Sequence, residues 1–535
     1  MQKLQQCFAY LFYPASGRFQ HFLGRWLFLR ALGLIYFSAF FSLLFQVRGL
    51  IGPRGILPAT DYLQAARTLG LPRFWYVPTL LWISSSDRAL MALCWIGLIA
   101  SLLLVLNLWP RMMLVLCFVC FLSFVGAAQD FSSYQSDGML LEAGFLSIFL
   151  APRGMLPGLG RNRPPIRAAM LLLLWEWFRI YFQSGVVKLE SGDPTWRNLT
   201  AMYEYYQNGP LPTWVGWYLQ HLPNWFHIAT AAATLIMELG IVWIVVLSRR
   251  WRILCFFVVT VWQIGVIASA NYAFLNYLVL SLAFLMLDDR SLRRFVSPRW
   301  RSSFQEDILA PASGLTDTYG QSKTSDRGWF HTGWYAACAF VLTWVFYATT
   351  VPVVRMFWNE APLPVGPLAV LEPLRIANAY GLFAVMTPHR YEIEFQGSND
   401  GEHWTPYPFR YKPQRLDERP RIYAPYQPRF DWNLWFASLG TWREHPIVPR
   451  TEVLLLENDQ DVLGLFAGNP FPDRPPRLVR AVLWQYRFST WEEKRKEKLW
   501  WQRQFLGTYA PTLTRLPDGR FGLVADPGVG RAAGT

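Results

Sequence analysis

Four polar side chains lie inside or at the edge of one apolar run, Leu171 to Trp196 (LLLLWEWFRIYFQSGVVKLESGDPTW): Glu176, Arg179, Gln183 and Lys188. Charged groups in hydrocarbon cost roughly 2.5–3.5 kcal/mol each on insertion scales, so each needs a partner or a task. Glu176, Arg179 and Gln183 are spaced i, i+3, i+7 and share a helical face. Glu142 and Glu238 supply carboxylates from two other apolar runs. Two readings fit this set. The groups can neutralise one another across helices and lock a bundle, or they can line a polar cavity. Lys188 falls off the shared face at about 100° per residue, unless Ser184-Gly185 bends the helix. It is either a lysine snorkelling at the interface or one desolvated beside a cavity, with a lowered pKa, able to act as a base. That makes Lys188 the catalytic candidate. Ser191-Gly192-Asp193-Pro194 then reads as a turn, with a new start at Thr195-Trp196.

Other polar positions have plainer readings. Asp137, in Gln135-Ser136-Asp137-Gly138, is placed to cap the helix that carries Glu142. Asn271, Tyr272 and Asn276 flank another helix end and could face the same cavity. His221 and His227 stand six apart around a proline, a poor spacing for one metal, and no metal or cofactor is expected. No GxSxG elbow, dinucleotide fingerprint, Walker A or HExxH occurs. Cys117 and Cys120 form a CxxC inside an apolar run and read as small core residues.

These positions must be held by membrane helices. Hydrophobic residues make up 53% of the 535 and charged residues only 16%, well below the quarter found in soluble domains. The net charge of +14 comes from arginines in short loops between apolar runs, which points to topology and anionic lipid rather than nucleic acid. The N-terminus lacks a signal-peptide pattern with a cleavage site, so the first apolar helix is expected to remain. About eight or nine spans are expected. They fall near 26–46, 89–108, 112–128, 138–150, 166–187, 226–247, 253–269, 273–287 and 334–354. Between the first two, an interfacial helix is expected with Asp61 as N-cap, Gln64 three residues on and Gly70 just past its end.

The fold class is thus a polytopic α-helical membrane protein with a C-terminal extracytoplasmic β-rich domain. The bundle covers 1–301, a polar cytoplasmic linker 302–331 and the last span 332–355. A sandwich-like domain follows over 360–515, then a flexible tail over 516–535. YEIEFQG, RYKP and AVLWQYRF read as strands, and WEEKRKEKLWWQRQF as a helix, docked on the sandwich or resting on lipid through Trp500 and Trp501. Arginine-rich loops (Arg111, Arg153, Arg161, Arg249, Arg250, Arg290) put the N-terminus in the cytoplasm and the C-terminal domain in a periplasm or lumen. The loop 47–88 dissents, carrying arginines on the outer side.

Several blocks resemble the lipase maturation factor family. They are YQSDGMLLEAGFLSIFLAP (134–152), SGVVKLESGDPTWRNLTAMYEYYQNGPLPTWVGWYLQHLPNWFH (184–227), YGLFAVMTPHRYEIEFQGSNDGEHW (380–404), YKPQRLDERPRIYAPYQPRFDWNLWFASLG (411–440) and GNPFP. Asp137, Gly192, Asp193, Pro194 and Trp196 belong to these motifs. The resemblance implies a membrane-bound folding factor whose eukaryotic members sit in the endoplasmic reticulum and help dimeric lipases assemble. Its partners would be client proteins such as lipases and the lipid bilayer, with no nucleic acid. The compact arginine-rich loops favour a bacterial inner membrane over the reticulum. The aromatic loop 188–224 (Trp196, Tyr203, Tyr205, Trp214, Trp217) would offer clients a surface. YFQSGVVKL and DPTW are also similar to a segment of the vitamin K-dependent gamma-carboxylase and related horizontally transferred transmembrane proteins. That similarity implies the alternative, an enzyme using Lys188 as base on a lipid or quinone-like substrate.

Overall fold

The computed structural model describes residues 21–161, 164–292 and 329–525, together with 6, 8 and 10–12. Residues 302–328 of the expected linker and 526–535 of the expected tail lie outside the described residues, as does Cys7.

Long apolar helices run back and forth: α1 (Phe22–Leu44), α2 (Asp87–Val105), α3 (Pro110–Val125), α4 (Gln135–Leu150) and α5 (Arg167–Glu190). They continue with α6 (Asn224–Leu239), α7 (Arg249–Ser269), α8 (Leu275–Ala283) and α9 (Trp329–Phe357). Local chemistry sets several ends. Ser86 accepts from the Ala89 N–H to start α2, and Pro110 occupies the first turn of α3, where a missing N–H costs nothing. At Gly240 the chain leaves α6 and tightens into a 3₁₀ segment, Ile241–Val246. Among the described residues, five helical stretches are long and apolar enough to cross a membrane: Phe22–Leu44, Asp87–Val105, Asn224–Val246, Arg249–Ser269 and Gly333–Phe357. This is a membrane protein.

Helix α5, the expected centre, is the axis of the bundle. It packs against α4, α6, α8 and α9, and all but a few of its residues are buried. The ends of α1, α5 and α7 and the start of α4 meet the C-terminal domain, while the opposite ends are tied to one another. There Leu23 N donates to Asp289, and Arg249 pairs with Asp288.

Two expected caps are corrected. The helix expected after the first span is Ala59–Ala66 with Pro58 at its N-cap, so Asp61 lies inside the first turn. Gly70 does follow the next turn with φ +67°, a conformation that glycine adopts without steric cost. Asp137 also lies inside its helix, with Tyr134 at the N-cap.

The C-terminal domain is β-rich, but it is a single sheet rather than a sandwich. Strands β1 (Arg390–Ser398), β2 (Thr405–Pro406), β3 (Leu478–Phe488), β4 (Trp501–Thr508), β5 (Thr512–Arg515) and β6 (Phe521–Ala525) form one antiparallel sheet. The second layer is helical: α10 (Arg429–Ala437) lies on β1 and α11 (Ile447–Leu456) on β3. Ile393, Phe395, Phe430, Leu455 and Phe466 are fully buried between the layers. Three further expectations change. RYKP forms no strand, β6 lies within the expected flexible tail, and WEEKRKEKLWWQRQF splits into a helix, Trp491–Glu497, and β4. The break falls at Lys498, which is left-handed at φ +60°. Trp501 is 1% exposed in the core beside Phe488, so it cannot rest on lipid.

Candidate functional site

The polar residues of α5 converge on a neighbouring stretch of backbone, residues 378–386, which has no regular secondary structure. Irregular backbone against a membrane bundle must find hydrogen-bond partners within the protein. Here α5 and the turn after it supply them, in chain order. Arg179 Nη1 donates to the Asn378 carbonyl at 2.6 Å. Gln183 Oε1 accepts from Tyr380 N at 3.3 Å, and Ser184 Oγ accepts from Leu382 N at 3.1 Å. Lys188 Nζ donates to the Leu382 carbonyl at 2.8 Å, and Ser191 Oγ to that of Ala384 at 2.8 Å. Asp193 Oδ2 accepts from Met386 N at 2.7 Å, and Trp196 Nε1 donates to the Phe383 carbonyl at 3.0 Å. Arg179, Gln183 and Lys188 thus form part of a docking track.

The carboxylates complete it. Glu142 on α4 forms an ion pair with Arg179, and its other oxygen accepts from Asn378 N at 3.0 Å and from the Tyr380 hydroxyl at 2.9 Å. Glu238 on α6 pairs with Lys188 at 2.9 Å. Glu176 stays apart from the track. It is fully buried beside Glu142, Arg179 and Tyr380, and neither of its oxygens accepts a hydrogen bond of ordinary geometry.

The motif loop works through backbone chemistry. Gly192 has φ +83°, Asp193 caps the short helix Pro194–Arg197 through Thr195 N at 2.8 Å, and Pro194 takes the first helical position. The new start therefore lies one residue before Thr195.

Asp137 is a partner rather than a cap. Both its oxygens accept from Arg429 of α10, at 2.7 and 2.8 Å, and both side chains are buried. Asn271 does not reach the Lys188 region. It holds the loop 421–424 instead, donating to the Arg421 carbonyl at 2.8 Å and accepting from Tyr423 N at 2.6 Å and Ala424 N at 3.0 Å. Asn276 turns inward to Gln263.

Lys188 does not snorkel. Its ammonium donates to Glu238 and to the Leu382 carbonyl and sits 5.1 Å from the centre of the Trp196 ring. The side chain is 1% exposed. Two of its donors are thus taken up by protein acceptors, and the gamma-carboxylase-like alternative is not supported. Of the loop 188–224 aromatics, Trp196 and Trp217 are buried in a cluster with Phe488 and Trp501, whereas Trp214 is exposed. Two arginines of loop 47–88 meet carboxylates of the C-terminal domain: Arg48 pairs with Asp461 at 2.7 Å, and Arg54 lies 3.8 Å from Asp459. Among the described residues, no three His, Cys, Asp or Glu side chains gather as metal ligands.

Asn378, Tyr380 and Arg429 carry much of this seam, and reading the sequence for chemistry missed them. Tyr380 and Arg429 lie in the motif blocks 380–404 and 411–440, which were quoted without a role for these residues, and Asn378 lies just before the first of them.

Residues 23–294 match the lipase maturation factor transmembrane domain, and residues 376–511 match the lipase maturation factor C-terminal domain. The chain is 33% identical to lipase maturation factor 1 of Bos taurus, over 92% of this chain and 89% of that protein. It is 30% identical to lipase maturation factor 2 of Mus musculus, over 91% and 82% respectively. No solved structure matches.

Proposed function

The chain belongs to the lipase maturation factor family, and from that membership we propose that it is a membrane-bound maturation factor that helps lipases reach their active fold or assembly. One observation carries this reading. The similarity runs through bundle, connecting segment and C-terminal domain over 92% of the chain, so the relatives share the whole arrangement rather than one module. The docking track then has a plain purpose: it holds the β-rich domain at a fixed place on the bundle, where a client chain can be received. With Trp196 and Trp217 of loop 188–224 buried, the client-facing surface is assigned to exposed apolar residues of β4 and β6: Phe505, Leu506, Leu523 and Val524.

The finer topology is part of the proposal. Helices α1 to α9 alternate in direction, which suits nine crossings that put the N-terminus and the C-terminal domain on opposite sides. The basic loops around Arg111, Arg153, Arg249 and Arg290 favour a cytoplasmic N-terminus. The domain division is proposed as a bundle to residue 301, a last helix over 332–355 and a β-rich domain over 360–515. The compact arginine-rich loops favour a bacterial inner membrane, with a secreted lipase as client.

The test is deletion of the gene in its own host, measuring lipase activity per unit of lipase antigen alongside the lipase transcript. The expected result is a lower active fraction at unchanged transcript. Unchanged specific activity across the host's secreted lipases overturns the proposal.

A further inference from the structure

Above the C-terminal-domain end of α7, the loops 410–423 and 211–212 line a shallow crevice that opens to solvent. Its lining carries five cations, Arg410, Lys412, Arg415, Arg419 and Arg421, against one carboxylate, Glu418. Three of the five have carboxylate partners. Lys412 pairs with Glu392 at 2.8 Å, Arg415 with Asp417 at 2.7 Å and Arg421 with Glu418 at 3.0 Å. The other two face no carboxylate: Arg410 donates only to the Gly464 carbonyl, and Arg419 lies 5.7 Å from the centre of the Trp214 ring. Lys494 adds positive charge next to Arg419; burial and that neighbour push its pKa down to about 8. The crevice thus holds uncompensated positive charge, which an anion would relieve.

Its position says which anion. Pro212 bridges to Ala270, directly after the last residue of α7, and Thr213 Oγ1 donates to the Ala268 carbonyl at 2.9 Å. The crevice therefore sits at the level where α7 leaves the bilayer. Below it, α7 presents Phe257, Val261 and Ile264 outward, each at least half exposed and suited to acyl chains. Beside it Trp214, Tyr218 and Trp225 are exposed, the aromatic types that settle at headgroup depth. We propose that this crevice binds the anionic headgroup of a phospholipid in the adjoining leaflet, with Arg410 and Arg419 as the charge partners of its phosphate. Planar guanidinium groups suit this role because they can meet a phosphate with two parallel N–H···O bonds. The bound lipid would fix the β-rich domain against the membrane surface, independently of any client.

The experiment uses the full chain in nanodiscs of phosphatidylcholine containing a minority of phosphatidylglycerol. Native mass spectrometry of the released protein then counts retained lipid. Phosphatidylglycerol is expected to be enriched over its share of the bilayer. Arg410→Gln with Arg419→Gln is expected to lower that enrichment by roughly fivefold per arginine and about thirtyfold together. An unchanged melting temperature in pure phosphatidylcholine shows that the variant is folded; should it not be, Arg410→Lys with Arg419→Lys must retain enrichment. Three results overturn the proposal: enrichment that survives the double Gln variant, displacement by inorganic phosphate as readily as by the lipid, or displacement by a soluble oligoglutamate peptide. The last would mark the crevice as a seat for an acidic protein segment.

Discussion

Breaking the Asp137–Arg429 pair separates a domain lock from a helix cap. Arg429 makes two bonds to Asp137, at 2.7 and 2.8 Å, and a third to the Phe131 carbonyl at 2.7 Å. Neither side chain is more than 1% exposed, so water cannot replace a lost partner. Arg429→Met leaves a buried carboxylate without its cation and is expected to cost about 3–5 kcal/mol. Asp137→Leu leaves a buried guanidinium and should cost a similar amount. The double variant removes both charges and leaves mainly the Phe131 carbonyl without its donor, about 1–3 kcal/mol. The two single losses together would then exceed the double loss by at least about 3 kcal/mol, far outside the additivity expected of independent sites. The assay is a double-mutant cycle on equilibrium unfolding of the full chain in detergent. A cap predicts something else: Asp137→Leu would cost about 1 kcal/mol and Arg429 would not matter to it. Additive losses, or single losses both near 1 kcal/mol, would refute the lock.

Three other outcomes are expected. Lys188→Met should lower both stability and lipase yield because it strands Glu238, whereas Lys188→Met with Glu238→Leu should recover yield in the deletion strain; a folded but inactive double variant would bring back the enzyme reading. Burial pushes the Asp431 carboxyl up to about 7 against the pull of Lys412, so the folded chain holds a proton that the unfolded chain releases near pH 3.9. This contribution to stability is complete below about pH 4 and is lost as pH rises toward 7. Asp431→Asn should flatten that decline in unfolding measurements across pH, though only in part, because burial raises Glu452 in the same direction. Gly97→Ala places a methyl 2.3 Å from the Phe40 ring where α2 crosses α1, and the overpacking should cost about 1–3 kcal/mol. Phe40→Leu in the same chain should restore part of the melting temperature, and no recovery would place the damage elsewhere.

Some of this molecule was legible in one dimension. Hydropathy located each long helix to within a few residues, because an apolar run of that length has few other uses in a chain so poor in charge. Alternation found β1 and β3, and Gly-Asp-Pro marked the turn after α5. The partners of the polar residues were not legible. Helical periodicity puts Glu176, Arg179 and Gln183 on one face, yet Arg179 pairs with Glu142 on α4 and Gln183 serves the backbone of Tyr380, some 197 residues away. A side chain's periodicity says which way it points but not what meets it there. Loop 47–88 shows the same limit: the partners of Arg48 and Arg54, Asp461 and Asp459, come from the C-terminal domain some 400 residues on. The sequence by itself determined that charged groups on a membrane helix must be answered. Only the tertiary structure decided what answers them, because the desolvation of Lys188 and Arg179 is offset by Glu238 and Glu142 on neighbouring helices together with the carbonyls of residues 378–386 laid along α5.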